Sequence, residues 1–104
     1  MDYAEWVCKR ISELRIQRGV SARDMSLSLG QSESYINKIE NRRTLPSLTG
    51  LFYICEYFGI TPEEFFRFDD EAPEKSKKLY AEIARLKPEY AEHLLQIIED
   101  LNKK

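Results

Sequence analysis

Apolar residues recur in steps of three and four along most of the chain, the spacing of one helical face. Val7, Ile11 and Leu14 predict a first helix from about Asp2 to Arg18, with Trp6 covering an edge of the core. Met25 and Leu29 mark a second over Ala22–Leu29. Ile36 and Ile39 mark a third, opened by Ser32 as N-cap and ending near Asn41. Leu48, Leu51, Ile54, Cys55 and Phe58 form the buried stripe of a fourth, capped by Ser47, and Phe65, Phe66 and Phe68 belong to a short fifth. Further on, Leu79, Ile83, Leu86, Tyr90, Leu94, Ile97 and Leu101 make a nearly continuous apolar seam. Pro88 interrupts it by removing a backbone hydrogen bond and crowding the preceding turn, which predicts two helices, about 74–86 and 88–102, or one kinked helix.

The joints between these segments repeat a motif: Gly19-Val-Ser21, Gly30-Gln-Ser32 and Gly59-Ile-Thr61. Glycine takes the left-handed conformation that ends a helix, and Ser or Thr accepts the first free N–H groups of the next. Ser21 with Asp24 at N3 reads as a near-capping box; Thr61-Pro-Glu-Glu64 reads as a full one with Pro at N1. Arg42-Arg-Thr-Leu-Pro46 is irregular, since Pro46 holds Leu45 extended. Asp69-Asp-Glu-Ala-Pro73 has no apolar anchor and reads as a linker. The expected organisation is a helical domain over 1–68, a linker over 69–73 and a helical tail over 74–104.

A chain of 104 residues supports one modest core. Four glycines and four prolines leave little room for β-turns, so the expected class is all-α. The N-terminus has no signal-peptide character and no apolar run reaches membrane-spanning length, which points to a cytoplasmic protein. Cys8 and Cys55 sit in apolar helical patterns as buried or half-buried free thiols; with the single His93 they offer too few ligands for a metal. No cofactor is expected. There is no glycine-rich phosphate loop, no HExxH and no nucleophile–base pair, so catalysis is not expected, and His93 is a plain surface or seam residue.

Net charge is −2, with nine Lys/Arg against nine Asp/Glu in 1–68 and seven against nine in 69–104. Positive surface is therefore local: within 9–23, Lys9, Arg10, Arg15, Arg18 and Arg23 face only Glu13. The stretch Gln31–Arg43 stands out more. Its non-core face carries Ser32, Glu33, Ser34, Asn37, Lys38 and Asn41, hydrogen-bonding side chains rather than the long Glu/Lys pairs of a merely solvated helix, and two arginines follow at once.

Ile11–Ser21, then Leu29-Gly30, Ser34-Tyr-Ile-Asn-Lys-Ile-Glu-Asn41 and Pro46-Ser-Leu48 closely resemble the Cro/phage-repressor (Xre-like) helix-turn-helix family over roughly residues 7–68. The resemblance implies a five-helix lambda-repressor-like DNA-binding domain, here with one or two additional C-terminal helices. It also implies that the second and third helices form the helix-turn-helix and that the third enters the major groove. There each base pair shows its own donor and acceptor pattern: Asn37 can pair bidentately with adenine, Lys38 can donate to guanine, Glu33 can accept from cytosine, and Ser32 and Ser34 can touch base edges or phosphate. Glu33 has a second reading, as a favourable charge at the positive end of the third helix. Ser21, Arg23, Tyr35, Arg42 and Arg43 are the candidate phosphate contacts. The resemblance further implies an ion pair between Arg15 and Glu40. Two residues depart from the family pattern: Ala22 replaces a Gln that contacts the DNA backbone, and Ser26 replaces a small Ala packed between the second and third helices.

The expected function is a sequence-specific transcriptional regulator, repressor-like, binding a palindromic operator in double-stranded DNA as a homodimer. The tail seam, Leu79, Ile83, Leu86, Tyr90, Leu94, Ile97 and Leu101, is the expected dimerisation element; the alternative is that part of it folds back on the first or fifth helix to cover Trp6, Phe66 and Phe68. No small-molecule ligand and no membrane partner are evident. The alternative is a protein-interaction adaptor on the same fold with little DNA binding, favoured by the acidic pI, Ala22 and Glu33.

Overall fold

Helix α1, Tyr3–Arg18, opens where the Asp2 carboxylate accepts the Glu5 N–H at 3.1 Å and closes at Gly19, whose φ of 76° supplies the left-handed turn. This geometry comes from a computed structural model, which describes residues 2–67 and 72–103. Among them lie seven α-helices: α1, then α2 (Ala22–Ser28), α3 (Tyr35–Glu40), α4 (Leu48–Phe58), α5 (Pro62–Phe65), α6 (Pro73–Ala84) and α7 (Pro88–Asn102). Among the described residues the fold is all-α, five helices followed by two more. The chain falls into two compact units, Met1–Glu74 and Lys75–Lys104.

In the first unit the caps follow the local chemistry of the sequence. Ser21 Oγ accepts from the Asp24 N–H and Ser47 Oγ from the Gly50 N–H, both at 3.0 Å. At α5 the reciprocal pair is complete: the Glu64 N–H donates to Thr61 Oγ1 at 3.1 Å and the Thr61 N–H donates to Glu64 Oε1 at 3.0 Å. Cys8, Ile11 and Leu14 of α1, Met25 of α2, Ile36 and Ile39 of α3, Leu51, Ile54, Cys55 and Phe58 of α4, Ile60 and Phe65 close one core. Both thiols are free and buried, and burial pushes the Cys55 thiol up to about 11. Val7 and Leu29 are half-buried at its edge, as is Trp6, which meets Phe65 edge-on and stacks on Phe66 with ring centres 6.0 Å apart in each case. Phe66 itself is largely exposed, and Phe68 lies outside the described residues.

Three expectations need correction here. Leu48, the first residue of α4, is 68% exposed and is not part of the buried stripe. Arg10 is 4% exposed although it is charged. Its guanidinium donates to the carbonyls of Phe65 (2.9 Å) and Glu64 (3.0 Å), so it satisfies the end of the one-turn α5, and it lies 5.5 Å from the Trp6 ring centre. Finally, the expected linker 69–73 lies partly outside the described residues, and its last member, Pro73, is fully buried and opens α6. Glu74 beside it pairs with Arg18 at 3.2 Å, and Arg18 also donates to the Tyr57 carbonyl and lies over that ring.

The second unit is built differently. Arg85, Leu86 and Lys87 separate its two helices; Pro88 takes the first position of α7, where its missing N–H costs nothing, so the chain breaks here rather than kinks. From Lys75 to Lys103 no residue is buried; Ser76, Ile83, Ala91 and Leu94 reach only half-burial.

Candidate nucleic-acid interface

Four helix ends in the first unit close in the same way. The N–H of a left-handed residue bonds the carbonyl three back, and the next N–H bonds the carbonyl five back: Gly19 and Val20 after α1, Gly30 and Gln31 after α2, Gly59 and Ile60 after α4. After α3 the left-handed residue is Arg42, with φ 60°; its N–H meets Ile39 O and the Arg43 N–H meets Lys38 O, both at 2.9 Å. This turn throws Arg42 and Arg43 outward at the end of α3, and both are exposed.

The start of α3 is a correction to the sequence reading. Ser32 does not cap it. The helix begins at Tyr35, and Ser32, Glu33 and Ser34 form the preceding turn, in which the Tyr35 N–H donates to Ser32 O at 3.0 Å. Ser34 at the cap position makes no side-chain cap bond. The acceptor comes from α2 instead: Ser26, 0% exposed, takes the Ile36 N–H on its Oγ at 3.0 Å and donates its own proton to Ala22 O at 2.7 Å. One hydroxyl thereby serves as a cap in trans and fixes α3 against α2.

A second tie holds α3 to α1. Arg15 and Glu40 meet through two bonds, Nε to Oε2 at 2.6 Å and the second guanidinium N–H to Oε1 at 2.9 Å, with side chains 18% and 14% exposed. Ser12 donates to Glu40 Oε1 at 3.0 Å and Arg15 also donates to Val20 O at 2.9 Å. The bond to Glu40 holds the Arg15 guanidinium more firmly protonated than usual. A third contact runs to α4: the Tyr35 hydroxyl occupies the space over Gly50, where an added Cβ would lie 2.8 Å from it, and burial raises the phenol above its ordinary value.

With Ile36 and Ile39 buried, Asn37 and Lys38 face solvent. Asn37 Oδ1 accepts from Asn41 Nδ2 at 2.5 Å. Ser32 and Glu33 are exposed beside α2, and Ser34 and Tyr35 are half-buried. Two of the candidate cations carry acidic partners. Arg23 Nε meets Glu33 Oε2 at 3.1 Å with both side chains 66% exposed, and Arg42 meets Glu5 of α1 at 2.8 Å. Since α3 starts two residues after Glu33, that carboxylate sits outside the first helical turn and faces α2 instead. Ser21 is exposed, but its hydroxyl already serves the Asp24 N–H.

The arrangement thus puts an amide, an ammonium and two guanidinium groups on one short helix and the turn behind it. Among the described residues no group of three or more His, Cys, Asp or Glu is placed to hold a metal, and no helix is long and apolar enough to cross a membrane. The sequence reading missed Arg10 and Glu5, and placed Ser26 between α2 and α3 without its hydrogen bonds. Ser26 was visible as a polar residue at a packed helix–helix position; the other two needed coordinates.

A family described as helix-turn-helix matches residues 11–65. The chain is similar to the HTH-type transcriptional regulator DdrOP3 of Deinococcus deserti, 36% identical over 55 residues, which cover 53% of this chain and 43% of that protein. It is 33% identical over 67 residues to the HTH-type transcriptional regulator PuuR of Escherichia coli, covering 64% of this chain and 36% of that protein. An uncharacterized HTH-type transcriptional regulator of Sinorhizobium fredii, y4dJ, is 25% identical over 73 residues, 70% of this chain and 95% of that one. The chain therefore spans less than half the length of the first two relatives. No solved structure matches it.

Proposed function

The chain belongs to the Cro/phage-repressor helix-turn-helix family, and on that premise we propose that it is a cytoplasmic, sequence-specific transcriptional regulator that binds a palindromic operator as a homodimer. Residues 1–68 read DNA and residues 74–104 join two copies. The observation that carries the reading is α3 itself, which buries Ile36 and Ile39 and turns Asn37 and Lys38 outward. In this reading Asn37 pairs with an adenine and Lys38 with a guanine, with Ser32, Glu33 and Ser34 along the edge of the same groove. Arg43, Arg42, Arg23, Ser21 and Tyr35 grip the phosphates on either side. A single reading head covers a few base pairs; two heads about 34 Å apart supply the specificity an operator needs. The apolar seam of α6 and α7 is the natural source of that pairing.

A salt titration of wild-type, Arg43→Ala and Asn37→Ala proteins on selected and random DNA tests the reading. Arg43→Ala weakens binding to every sequence and lowers the salt slope by about one. Asn37→Ala costs about 1–3 kcal/mol on the selected sequence and little on random DNA. No selectable sequence and a slope near zero would favour the adaptor instead. That second reading draws on the Arg23–Glu33 and Arg42–Glu5 pairs, which neutralise two of the phosphate candidates.

A further inference from the structure

Arg42 and Arg43 are neighbours in one turn and both are exposed, yet their surroundings differ. Arg42 Nη2 meets Glu5 Oε1 at 2.8 Å, a charge-assisted contact of ordinary length, with side chains 56% and 50% exposed. Among the described residues Arg43 and Lys38 form no ion pair. Of the three cations at the closing end of α3, one is held by a carboxylate and two are not. Glu5 belongs neither to α3 nor to the helix ahead of it. It stands in the first turn of α1, where its N–H donates to the Asp2 carboxylate, and it lines one open cleft together with Arg42 and Arg43. Two ordinary duties are open to it: a first-turn carboxylate favours the positive end of its helix, and an exposed ion pair adds a little stability. The first of these needs no arginine at all.

The pair has a larger consequence for Arg42. A phosphate and the Glu5 carboxylate are rivals for the same guanidinium, since each accepts its N–H groups and matches its charge. Arg42 neutralises a phosphate only by leaving Glu5, which then stands as an uncompensated negative charge beside the DNA. So exposed a pair opens readily, and the position of the phosphate decides the contest. With α3 seated by base contacts, the DNA backbone lies at one fixed distance and orientation. On random sequence the protein slides and the phosphates pass at shifting positions, while the carboxylate stays fixed on α1.

We propose that Glu5 is a specificity-determining residue that touches no base: it withholds Arg42 from random DNA and yields it on the operator. This rests on the DNA reading above and adds to it a penalty against wrong sequences, the part of specificity that good contacts to the right one do not supply. Arg23 and Glu33 repeat the arrangement ahead of α3, at 3.1 Å with both side chains 66% exposed. Glu33 is also a candidate base contact, so its removal mixes two effects. Glu5 isolates one.

The test uses the full chain as wild type, Glu5→Gln, Arg42→Ala and the double variant. Binding to a selected operator and to random duplex is followed by fluorescence anisotropy across a salt series. Glu5→Gln keeps the size of the side chain and removes its charge. It is expected to bind random DNA about three- to tenfold more tightly near 0.1 M salt and to steepen the salt slope there by about one, the value of one added phosphate contact. Operator binding changes less, so the ratio of operator to random affinity falls by about threefold or more. With Arg42→Ala already in place, Glu5→Gln is expected to shift random-DNA affinity by less than about twofold, because the guanidinium it would release is gone. An unchanged ratio and slope in Glu5→Gln overturn the proposal. So do equal gains with and without Arg42, which would make Glu5 a distant charge, and a shift in thermal melting with no change in DNA binding, which would confine Glu5 to the stability of α1. Wild type alone gives a further measurement: its salt slope on the operator should exceed that on random DNA by about one or more, and equal slopes count against the proposal. A wild type that selects no sequence fails the DNA reading itself, and this proposal with it.

Discussion

The two units meet the same requirement, covering apolar surface, by opposite means. Residues 1–74 close a core of twelve apolar side chains from five helices and the Ile60 turn, tied by Arg10, Arg15 and Ser26 at the points where helices cross. Residues 75–103 hold as regular an apolar pattern, and none of it is more than half-buried. Periodicity alone does not separate the two cases. What differs is the number of faces on offer: five short helices at sharp joints enclose a volume, whereas two helices in succession present a strip.

Substitution of the same kind in each unit sharpens the contrast most. Phe58→Ala removes a ring that is 1% exposed and should cost about 3–5 kcal/mol in urea unfolding. Ile97→Ala, at 56% exposed, should leave unfolding of the dilute protein unchanged within about 0.5 kcal/mol and weaken self-association instead. Equal costs in the two units would erase the distinction.

Next in size are the ties of the first unit. Arg15→Ala strands the Glu40 carboxylate and should cost about 3 kcal/mol, the lower end for a broken buried pair because some solvent reaches it. Arg15→Lys should recover only part, since an ammonium cannot make both guanidinium bonds to one carboxylate. Ser26→Ala leaves the Ile36 N–H without its acceptor, at about 1–2 kcal/mol. Amide exchange at Ile36 should quicken in that variant more than at Ile39; uniform acceleration would deny the hydroxyl its local role. The smallest effect is expected at Glu33→Ala. An exposed pair contributes little, so melting should not move, but Arg23 is released and random-sequence DNA should bind more tightly. Unaltered binding would show that Arg23 does not approach the phosphates.

How much of this was legible depended on whether the cause was local. Caps and left-handed glycines act within a few residues, and Ser21, Ser47, Thr61, Gly19 and Gly59 do what their neighbours dictate. Gly30-Gln-Ser32 carries the same signal, yet α3 starts at Tyr35 because the acceptor for its second N–H stands on α2, six residues before Ser32. Leu48 fits the stripe by spacing yet, as the first residue of α4, stays exposed. Arg10 reads as a surface charge until α5 folds over it 55 positions later. Of the proposed interface, the types of the reading residues were visible in the sequence; the acidic partners of Arg23 and Arg42 were not, because Glu33 and Glu5 reach them from other segments.

Arg42 gives α3 a property of its own in time rather than in space. Holding a residue with a Cβ in the left-handed basin costs about 1 kcal/mol relative to glycine, so the closing turn of α3 opens roughly five times more often than a glycine-closed one would. The amides of Arg42 and Arg43 are the ones released at each opening. The last turn of α3 should therefore exchange its hydrogens faster than the ends of α1 and α4, and a phosphate held by those two guanidinium groups would slow that exchange.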